Sequence, residues 1–144
     1  MQIQLSAQYM AQPYTKPPRD FQRSKVYSWE RAVFGRPTEK MTIDQCVEFA
    51  EKICGFKVEV KDGRGRRKAC AYRNSRTISL PRWARCEWVV IHECSHLLTP
   101  NEFASHGAEY MGIYIEMLEK HGPASGFPYG LAESAKRFGL RVLK

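Results

Sequence analysis

The sequence has no apolar run long enough to cross a membrane and no pair of cysteines with the C-x-x-C spacing. A transmembrane helix needs about 20 mostly apolar residues, so we expect no membrane partner. Residues 1–20 lack the basic start and the apolar stretch of a secretory signal, which predicts a cytoplasmic protein. Five cysteines without that spacing argue against both a disulfide framework and a zinc ribbon. We therefore expect reduced and largely buried thiols.

The length and composition are those of one soluble globular domain. The chain has 144 residues, of which 43% are hydrophobic and 26% are charged. Residues 1–22 mix Gln, Pro, Lys and Arg without hydrophobic periodicity, so we predict an extended or disordered N-terminal arm there. Residues 23–144 are then the single domain, which we expect to be a monomer.

Two helices are predicted in the first half of the chain. The segment from Ser24 to Gly35 has Ser24 as an N-cap and Gly35 as a stop. Farther along, Thr42 and Gln45 have the T-x-x-Q spacing of a capping box, and Gly55 supplies the stop. We expect a well-defined helix between Thr42 and Gly55.

Alternating apolar and polar residues predict a small sheet after these helices. Residues 56–61 (FKVEVK) alternate, residues 62–67 (DGRGRR) provide a turn, and residues 68–73 (KACAYR) form the returning strand. Residues 76–81 (RTISLP) predict a third short strand. The predicted fold class is therefore α+β, with an antiparallel or mixed three-stranded sheet packed on helices.

Residues 89–98, VVIHECSHLL, place two histidines four positions apart with a glutamate directly after the first. The segment contains no Gly or Pro, and Pro100 follows it, so we predict a helix. On a helix, His92 and His96 project from the same face and can reach one metal ion. Glu93 flanks that ion and can take a proton from a water bound to it. The alternative is a pair of core histidines.

A catalytic zinc site usually has three protein ligands and a water, so the motif leaves one ligand to be found. The downstream candidates are Glu102, His106, Glu109 and His121. We favour His106, which follows His96 by ten residues at the start of a second predicted helix. Glu109 is the alternative ligand, or it orients one of the ligands without contacting the metal itself. Glu102 is expected to be a first-turn helix acid, and His121 a helix C-terminal residue.

The chain after the motif predicts mainly helix. Residues 101–122 form the second helix, and a loop at 125–130, a helix at 131–139 and a short strand at 140–144 follow. Three tyrosines in this half are candidates to stabilise the oxyanion of a hydrolytic reaction, with core packing as the alternative role. They are Tyr110, Tyr114 and Tyr129.

The chain carries a formal net charge of +8 and has a pI near 9.4, so its surface should attract nucleic acid. The excess of positive charge is concentrated in residues 62–68 (DGRGRRK) and residues 73–85 (RNSRTISLPRWAR). A solvated loop is the alternative for the first cluster. The predicted contacts with phosphate are four residues of that cluster: Arg64, Arg66, Arg67 and Lys68.

The combination of HECSH with HGAEYM, residues 106–111, resembles the SprT-like zincins. In that family the H-E-x-x-H helix is followed by a His-Gly pair that opens a helix, with an aromatic residue shortly after the Gly. The resemblance implies that His92, His96 and His106 ligate one Zn²⁺ per chain. It also implies that Glu93 is catalytic and that the fold is zincin-like, with the sheet packed on the H-E-x-x-H helix.

The chain is more similar still to a metallohydrolase family of actinobacteria and their phages. The shared segments are DGRGRRKA, a strand ending in LPRWAR, the H-E-x-x-H helix and the HG-x-EY segment, from about residue 25 onward. Two features depart from the SprT-like proteases that act on DNA-bound proteins. The chain has no cysteine pairs for a zinc ribbon, and the gap between His96 and His106 leaves little room for a substrate loop.

These features predict a zinc-dependent metallohydrolase, and within that class a metallopeptidase with a protein or peptide substrate. The strand at residues 76–80 (RTISL) is a candidate edge against which an extended peptide could pair. A second hypothesis is a DNA-associated binding protein with a structural zinc site and no turnover. A third is a regulatory protease that acts on one repressor and makes no DNA contacts.

Overall fold

The computed structural model describes residues 18–37, 40–122 and 130–143. This part of the chain is α+β, with five α-helices and one mixed three-stranded sheet. In chain order the elements are α1 (Arg23–Val33), α2 (Ile43–Cys54), β1 (Glu59–Asp62), β2 (Cys70–Tyr72), β3 (Thr77–Leu80), α3 (Glu87–Leu98), α4 (Ala108–His121) and α5 (Leu131–Arg137). None of the described helices has the length and apolar character that a membrane span requires. Most of the predicted N-terminal arm, most of the loop predicted at 125–130 and the candidate Tyr129 lie outside the described residues.

Local sequence signals set the ends of α2 as predicted. The Gln45 amide donates to Thr42 Oγ1 (3.1 Å) and the Thr42 amide donates to Gln45 Oε1 (2.9 Å), which completes the capping box. Gly55 ends the helix with a φ of 76°, the left-handed conformation that favours glycine. The predicted cap of α1 is wrong, because α1 begins at Arg23 and Ser24 lies inside its first turn.

The sheet is mixed, with the strand order β1-β3-β2. The central strand β3 pairs in parallel with β1 and antiparallel with β2. All four residues of β3 are buried, and a strand that is covered on both faces is best stabilised between two neighbours. The predicted hairpin between residues 56–61 and 68–73 is wrong, because β1 and β2 each pair with β3, and the predicted edge position of residues 76–80 is wrong, because β3 is central. The edge strands are β1 and β2.

The turn predicted at residues 62–67 is present, but it carries the chain past the end of β3. Asp62 Oδ1 accepts a hydrogen bond from the Arg64 amide (2.9 Å), and the Gly63 amide donates to the Leu80 carbonyl (3.0 Å). A Cβ at Gly63 would lie 2.7 Å from the Pro81 nitrogen. Only glycine allows this close approach, because any side chain would push the turn away from β3.

The helix α3, which contains the H-E-x-x-H motif, is buried on almost every side. Its residues from Val89 to Ser95 are all buried, and it packs against α2, α4 and β2. Cys94 lies on the side away from the histidine cluster, and burial and its neighbour Cys54 on α2 raise the pKa of its thiol. All five cysteines are free thiols. The histidines of the motif are thus carried by a helix that is held in place from several directions.

The last described segment does not form the strand predicted at residues 140–144. Residues 140–143 have no regular structure and lie along α4, where the Leu143 amide donates to the Ala108 carbonyl (2.9 Å). A Cβ at Gly112 would lie 2.0 Å from the Leu143 carbonyl oxygen, so the segment contacts the helix backbone directly. The segment is held by the surface of α4 rather than by a sheet.

Candidate metal centre

Three histidines from two parts of the chain meet at the end of α3. His92 and His96 are one helical turn apart on α3, and the distance between their ring centroids is 5.0 Å. The His106 ring lies 5.4 Å from that of His92 and 4.7 Å from that of His96. Their candidate ligand atoms all lie within 4.8 Å of one another, so this group can hold a metal ion.

His106 reaches the cluster because α4 begins later than predicted. The second helix starts at Ala108 rather than near residue 101, and residues 101–107 form turns that bring the chain back to α3. The Gln22 side chain donates to the His106 carbonyl (2.9 Å) and to the Arg141 carbonyl (3.3 Å). These bonds tie the turn before α4 to the start of α1 and to the C-terminal segment.

Two carboxylates orient the histidine rings. His92 Nδ1 is hydrogen-bonded to Glu30 Oε2 on α1, and His106 Nδ1 is hydrogen-bonded to Asp20 Oδ2 at 2.7 Å. Each bond leaves the Nε2 atom of its ring for another partner. His106 Nε2 is buried and has no hydrogen-bond partner in the described part of the chain. A carboxylate behind a histidine is the usual support of a metal-binding imidazole, so the residues present fit a metal ion.

Sequence reasoning missed both Glu30 and Asp20. Glu30 is 3% exposed and lies one helical turn after Val26 on the buried face of α1. A carboxylate on an apolar helix face is costly to bury without a partner, and that position was the signal that could have identified it. Asp20 precedes α1 in a segment without periodicity, so the sequence offers no comparable signal for it.

The other candidate ligands do not join the cluster. Glu109 is half-buried in the first turn of α4 and is not part of the histidine group. Glu102 is exposed in the preceding turns, and His121 lies at the far end of α4. The helix has 14 residues, which separate its ends by about 20 Å. Among the alternatives considered from the sequence, the structure brings His106 to the motif.

Tyr110 and Tyr114, two of the oxyanion candidates, are fully buried. The Tyr110 hydroxyl donates to the His92 carbonyl (3.0 Å), and the Tyr114 hydroxyl donates to Glu30 Oε2 (2.6 Å). The Tyr110 ring also stacks on His96, with 4.4 Å between the centroids. Both tyrosines are therefore buried hydrogen-bonding and packing partners of the histidines and of Glu30.

The histidines and carboxylates of the cluster shift one another's pKa. Burial alone would lower the pKa of His92, but the carboxylates of Glu30 and Glu93 outweigh it and raise that pKa to about 9. Burial raises the pKa of Glu93 to about 7, with His92 opposing the shift and Glu30 adding to it. The pair of carboxylates thus attracts a cation to the position of the His92 ring, whether a proton or a metal ion.

The other two histidines are held neutral, which is the form that binds metal. Burial and the neighbouring His92 and His106 hold the pKa of His96 well below its usual value. Burial and His92 also lower the pKa of His106, although Asp20 opposes the shift. Two neutral imidazoles therefore flank the position at which the carboxylates favour positive charge.

An open cleft of about 710 Å³ gives access to the cluster. Its walls include the three histidines, Glu93, Tyr27 of α1 and the edge strand β2 with the residues after it. Glu93 is 5% exposed, and its Oε2 atom lies 3.9 Å from His92 Nε2. The arrangement places a carboxylate of raised pKa beside three imidazoles at the floor of a cleft.

The two basic clusters of the sequence have different environments. The predicted phosphate contacts Arg64, Arg66, Arg67 and Lys68 are all exposed on the turn after β1. In the second cluster, Arg73 is turned inward and donates to the His96 carbonyl (2.9 Å) and to Asn101 Oδ1 (3.0 Å). Arg73 therefore stabilises the C-terminal end of α3 instead of facing solvent.

Comparisons of the chain with protein-family models, with curated proteins and with solved structures found no match. The functional argument therefore depends on the chain's own residues. Those residues define a class of site: three histidines, two buried and one half-buried, that can hold a metal ion, two carboxylates that orient two of them, and a third carboxylate that lines an open cleft.

Proposed function

We propose that the protein is a zinc-dependent metallohydrolase of zincin type, and that it cleaves a peptide bond in a protein or peptide. The observation that carries the proposal is the geometry of the site. His92, His96 and His106 lie together, and the Glu93 carboxylate lines the same open cleft. This is the ligand set and the acid-base residue that hydrolytic zinc sites use.

Zinc, when bound, supplies a Lewis acid that polarises the scissile carbonyl and makes water acidic enough to lose a proton near neutral pH. Glu93 takes that proton at a carboxylate oxygen and then delivers it to the leaving amine. Burial raises the pKa of Glu93 in the metal-free site, and its place in the cleft beside the three histidines suits a group that both accepts and releases a proton. Glu30 and Asp20 hold the His92 and His106 rings in the tautomer that leaves Nε2 free.

Tyr27 replaces the buried tyrosines as our candidate for stabilising the oxyanion. It lines the cleft, and its ring lies 6.2 Å from that of His92 and 5.6 Å from that of His106. Burial and the nearby Glu93 raise the pKa of its hydroxyl, which therefore remains protonated and able to donate. Tyr27→Phe is expected to slow hydrolysis with zinc content unchanged.

The edge strand β2 takes the role that the sequence suggested for residues 76–80. Residues 69–75, which include β2, line the cleft beside the histidines. An extended peptide that adds to a sheet edge makes main-chain hydrogen bonds along it. We therefore infer that the substrate binds along β2 and presents its scissile bond to Glu93.

A structural zinc site is the competing interpretation, and the open cleft favours catalysis over it. Structural sites are usually closed by four protein ligands, whereas catalytic sites keep one position open. In the described part of the chain the group comprises three histidines, and all three line the cleft.

The first test of the proposal is the zinc content of the purified, tag-free chain by elemental mass spectrometry. We expect about one zinc per chain, lost in His106→Ala because two histidines do not hold the ion, and retained in Glu109→Ala. Glu109→Ala is the matched control, because Glu109 follows His106 by three residues but lies outside the cluster. Wild-type protein without any bound divalent metal would contradict the proposal.

The second test separates an enzyme from a binding protein. Glu93→Gln should reduce hydrolysis of a quenched fluorescent peptide library by at least about 100-fold, because it removes the general base. Zinc content and the thermal unfolding midpoint should remain those of the wild type, and Glu109→Gln should be fully active. A zinc-loaded wild type that cleaves no peptide, or equal rates in both variants, would overturn the peptidase assignment.

A further inference from the structure

A second cavity adjoins the cleft on the side of Glu93. It has a volume of about 290 Å³ and shares four of its lining residues with the cleft. These shared residues are Tyr27, Ala69, His92 and Glu93. The two cavities therefore meet at the histidine cluster, so that a chain bound along β2 passes the mouth of the second cavity.

The wall from α3 explains why the second cavity lies next to the reacting centre. Trp88 and Val89 line it, and each is four residues before His92 and Glu93, respectively. Positions i and i+4 share a helix face and are separated by about one turn, 5 to 6 Å. The face of α3 that carries the histidine and the acid-base residue therefore continues directly into the cavity.

The remaining walls are mostly apolar. Trp83 forms one side, with an exposed fraction of 42%, and its indole N–H is already bonded to the Arg67 carbonyl (2.9 Å). Trp88 stacks on Phe34 with 5.1 Å between the ring centroids. The side chains of Arg31 and Lys68 contribute two cations to the lining. The carboxylates of Glu30 and Glu93 also line it, so the cavity offers aromatic surfaces and charged side chains of both signs.

The volume of the cavity points to its occupant. An apolar cavity of about 150 Å³ is large enough to accept a benzene ring, so a volume of about 290 Å³ has room for one aromatic side chain. In addition, the Trp88 indole nitrogen is buried and has no hydrogen-bond partner within the described residues. Because that nitrogen is closed to solvent, an occupant of the cavity contacts the Trp88 ring, and the indole N–H signal reports that contact.

We propose that this cavity, the tryptophan pocket, binds a large apolar side chain of the substrate beside the scissile bond and prefers an aromatic one. This inference rests on the proposed function and names its substrate class. A lysine or arginine side chain is disfavoured, because its charge would lose hydration among the aromatic walls, and the Glu30 carboxylate of the lining is already bonded to His92 and Tyr114. The pocket makes the enzyme selective at one substrate position.

The test is a titration of the ¹⁵N-labelled wild-type chain, followed through its indole N–H signals. The chain has three tryptophans, and the Trp83→Phe and Trp88→Phe variants assign the three signals. N-acetylphenylalanine amide should shift the Trp88 signal to saturation and leave that of Trp29 in place, since the Trp29 N–H is bonded to Ser134 Oγ. N-acetyllysine amide should bind at least about tenfold more weakly.

Two variants control for unspecific binding. Trp83→Ala should weaken the phenylalanine probe about threefold to tenfold, because it removes one aromatic wall. Phe138→Ala should leave affinity unchanged, since Phe138 has the same exposed fraction of 42% but lines neither cavity. An unmoved Trp88 signal, equal binding of both probes, or equal effects of the two variants would overturn the proposal.

The titration requires neither zinc nor turnover, and it should give the same result in the presence of a chelator. A saturable Trp88 shift in a protein that binds no metal would therefore refute the proposed hydrolase and retain the pocket as a binding site. Zinc-dependent hydrolysis by a protein whose Trp88 signal does not shift would retain the proposed hydrolase and refute the tryptophan pocket. In an active enzyme, peptides with phenylalanine at the selected position should exceed those with lysine in kcat/KM by about tenfold or more.

Discussion

At the scale of single residues, the site depends as much on the partners of the histidines as on the histidines themselves. Glu30 accepts from both the His92 ring and the Tyr114 hydroxyl, and it is almost fully buried. A buried carboxylate is tolerated only when it is paired. Glu30 is thus stabilised by the two groups that it orients, and each of the three groups fixes the positions of the others.

Glu30→Gln should lower the zinc affinity of the chain by about 10-fold to 100-fold, because it removes the negative charge behind His92. Competition with a chromophoric chelator measures the affinity. Glu133→Gln is the matched control, because Glu133 is an exposed helix residue that pairs with Arg137 (3.6 Å) and lies outside the histidine group. Wild-type affinity in a folded Glu30→Gln variant would show that the carboxylate is not needed to orient the ring.

At the scale of elements, the motif helix is positioned by neighbours with stronger local signals than its own. The N-cap of α3, Cys86, makes no side-chain capping bond, whereas α2 has a complete capping box and a glycine stop. Because α2 packs against α3, the well-capped α2 holds the motif helix in position. The stability of α2 should therefore affect the whole domain.

Thr42→Ala should lower the free energy of unfolding by about 1 kcal/mol, because it removes the hydroxyl that accepts from the Gln45 amide. Urea denaturation followed by circular dichroism measures the change. Ser24→Ala is the control, since Ser24 is an exposed polar residue in the first turn of α1 and makes no cap. Its effect should stay below about 0.5 kcal/mol, and an equal loss in both variants would exclude a specific role of the capping box.

At the scale of the whole molecule, the positive charge divides into an inner and an outer set. Arg73 and Arg85 make internal bonds, Arg73 to the end of α3 and Arg85 to Asp62 (2.8 Å). The cations of the turn after β1 are exposed, and the Arg64 guanidinium lies 3.6 Å from Asp62 Oδ2. The net charge of +8 therefore includes arginines that bond within the fold, and only the exposed cations are candidates for contacts with nucleic acid.

If the outer set contacts phosphate, replacing Arg64, Arg66 and Arg67 by serine should reduce the salt dependence of duplex DNA binding. Loss of three phosphate contacts changes the slope of log affinity against log salt concentration by about 2.7. Fluorescence anisotropy at several salt concentrations measures this slope. A control variant with serine at Lys120, Lys136 and Arg137 removes the same charge from exposed positions on α4 and α5. Equal slopes for both variants would indicate attraction by net charge without a defined contact surface.

The sequence by itself determined the features that depend on short stretches of chain. The spacing of His92 and His96, the capping box at Thr42 and Gln45, and the stop at Gly55 involve residues at most four positions apart, so helix geometry alone relates them. The α+β class followed from the change of hydrophobic period between α2 and β1, for the same reason.

Only the tertiary structure decided which distant residues complete the site. Asp20 and Glu30 reach their histidines across 86 and 62 positions of the chain, and no local pattern encodes such a pairing. The strand order has the same origin: β3 became central because all its residues are buried, whereas the turn between β1 and β2 alone favoured a hairpin. Burial is a property of the assembled core, and it selected the partners that the local sequence left open.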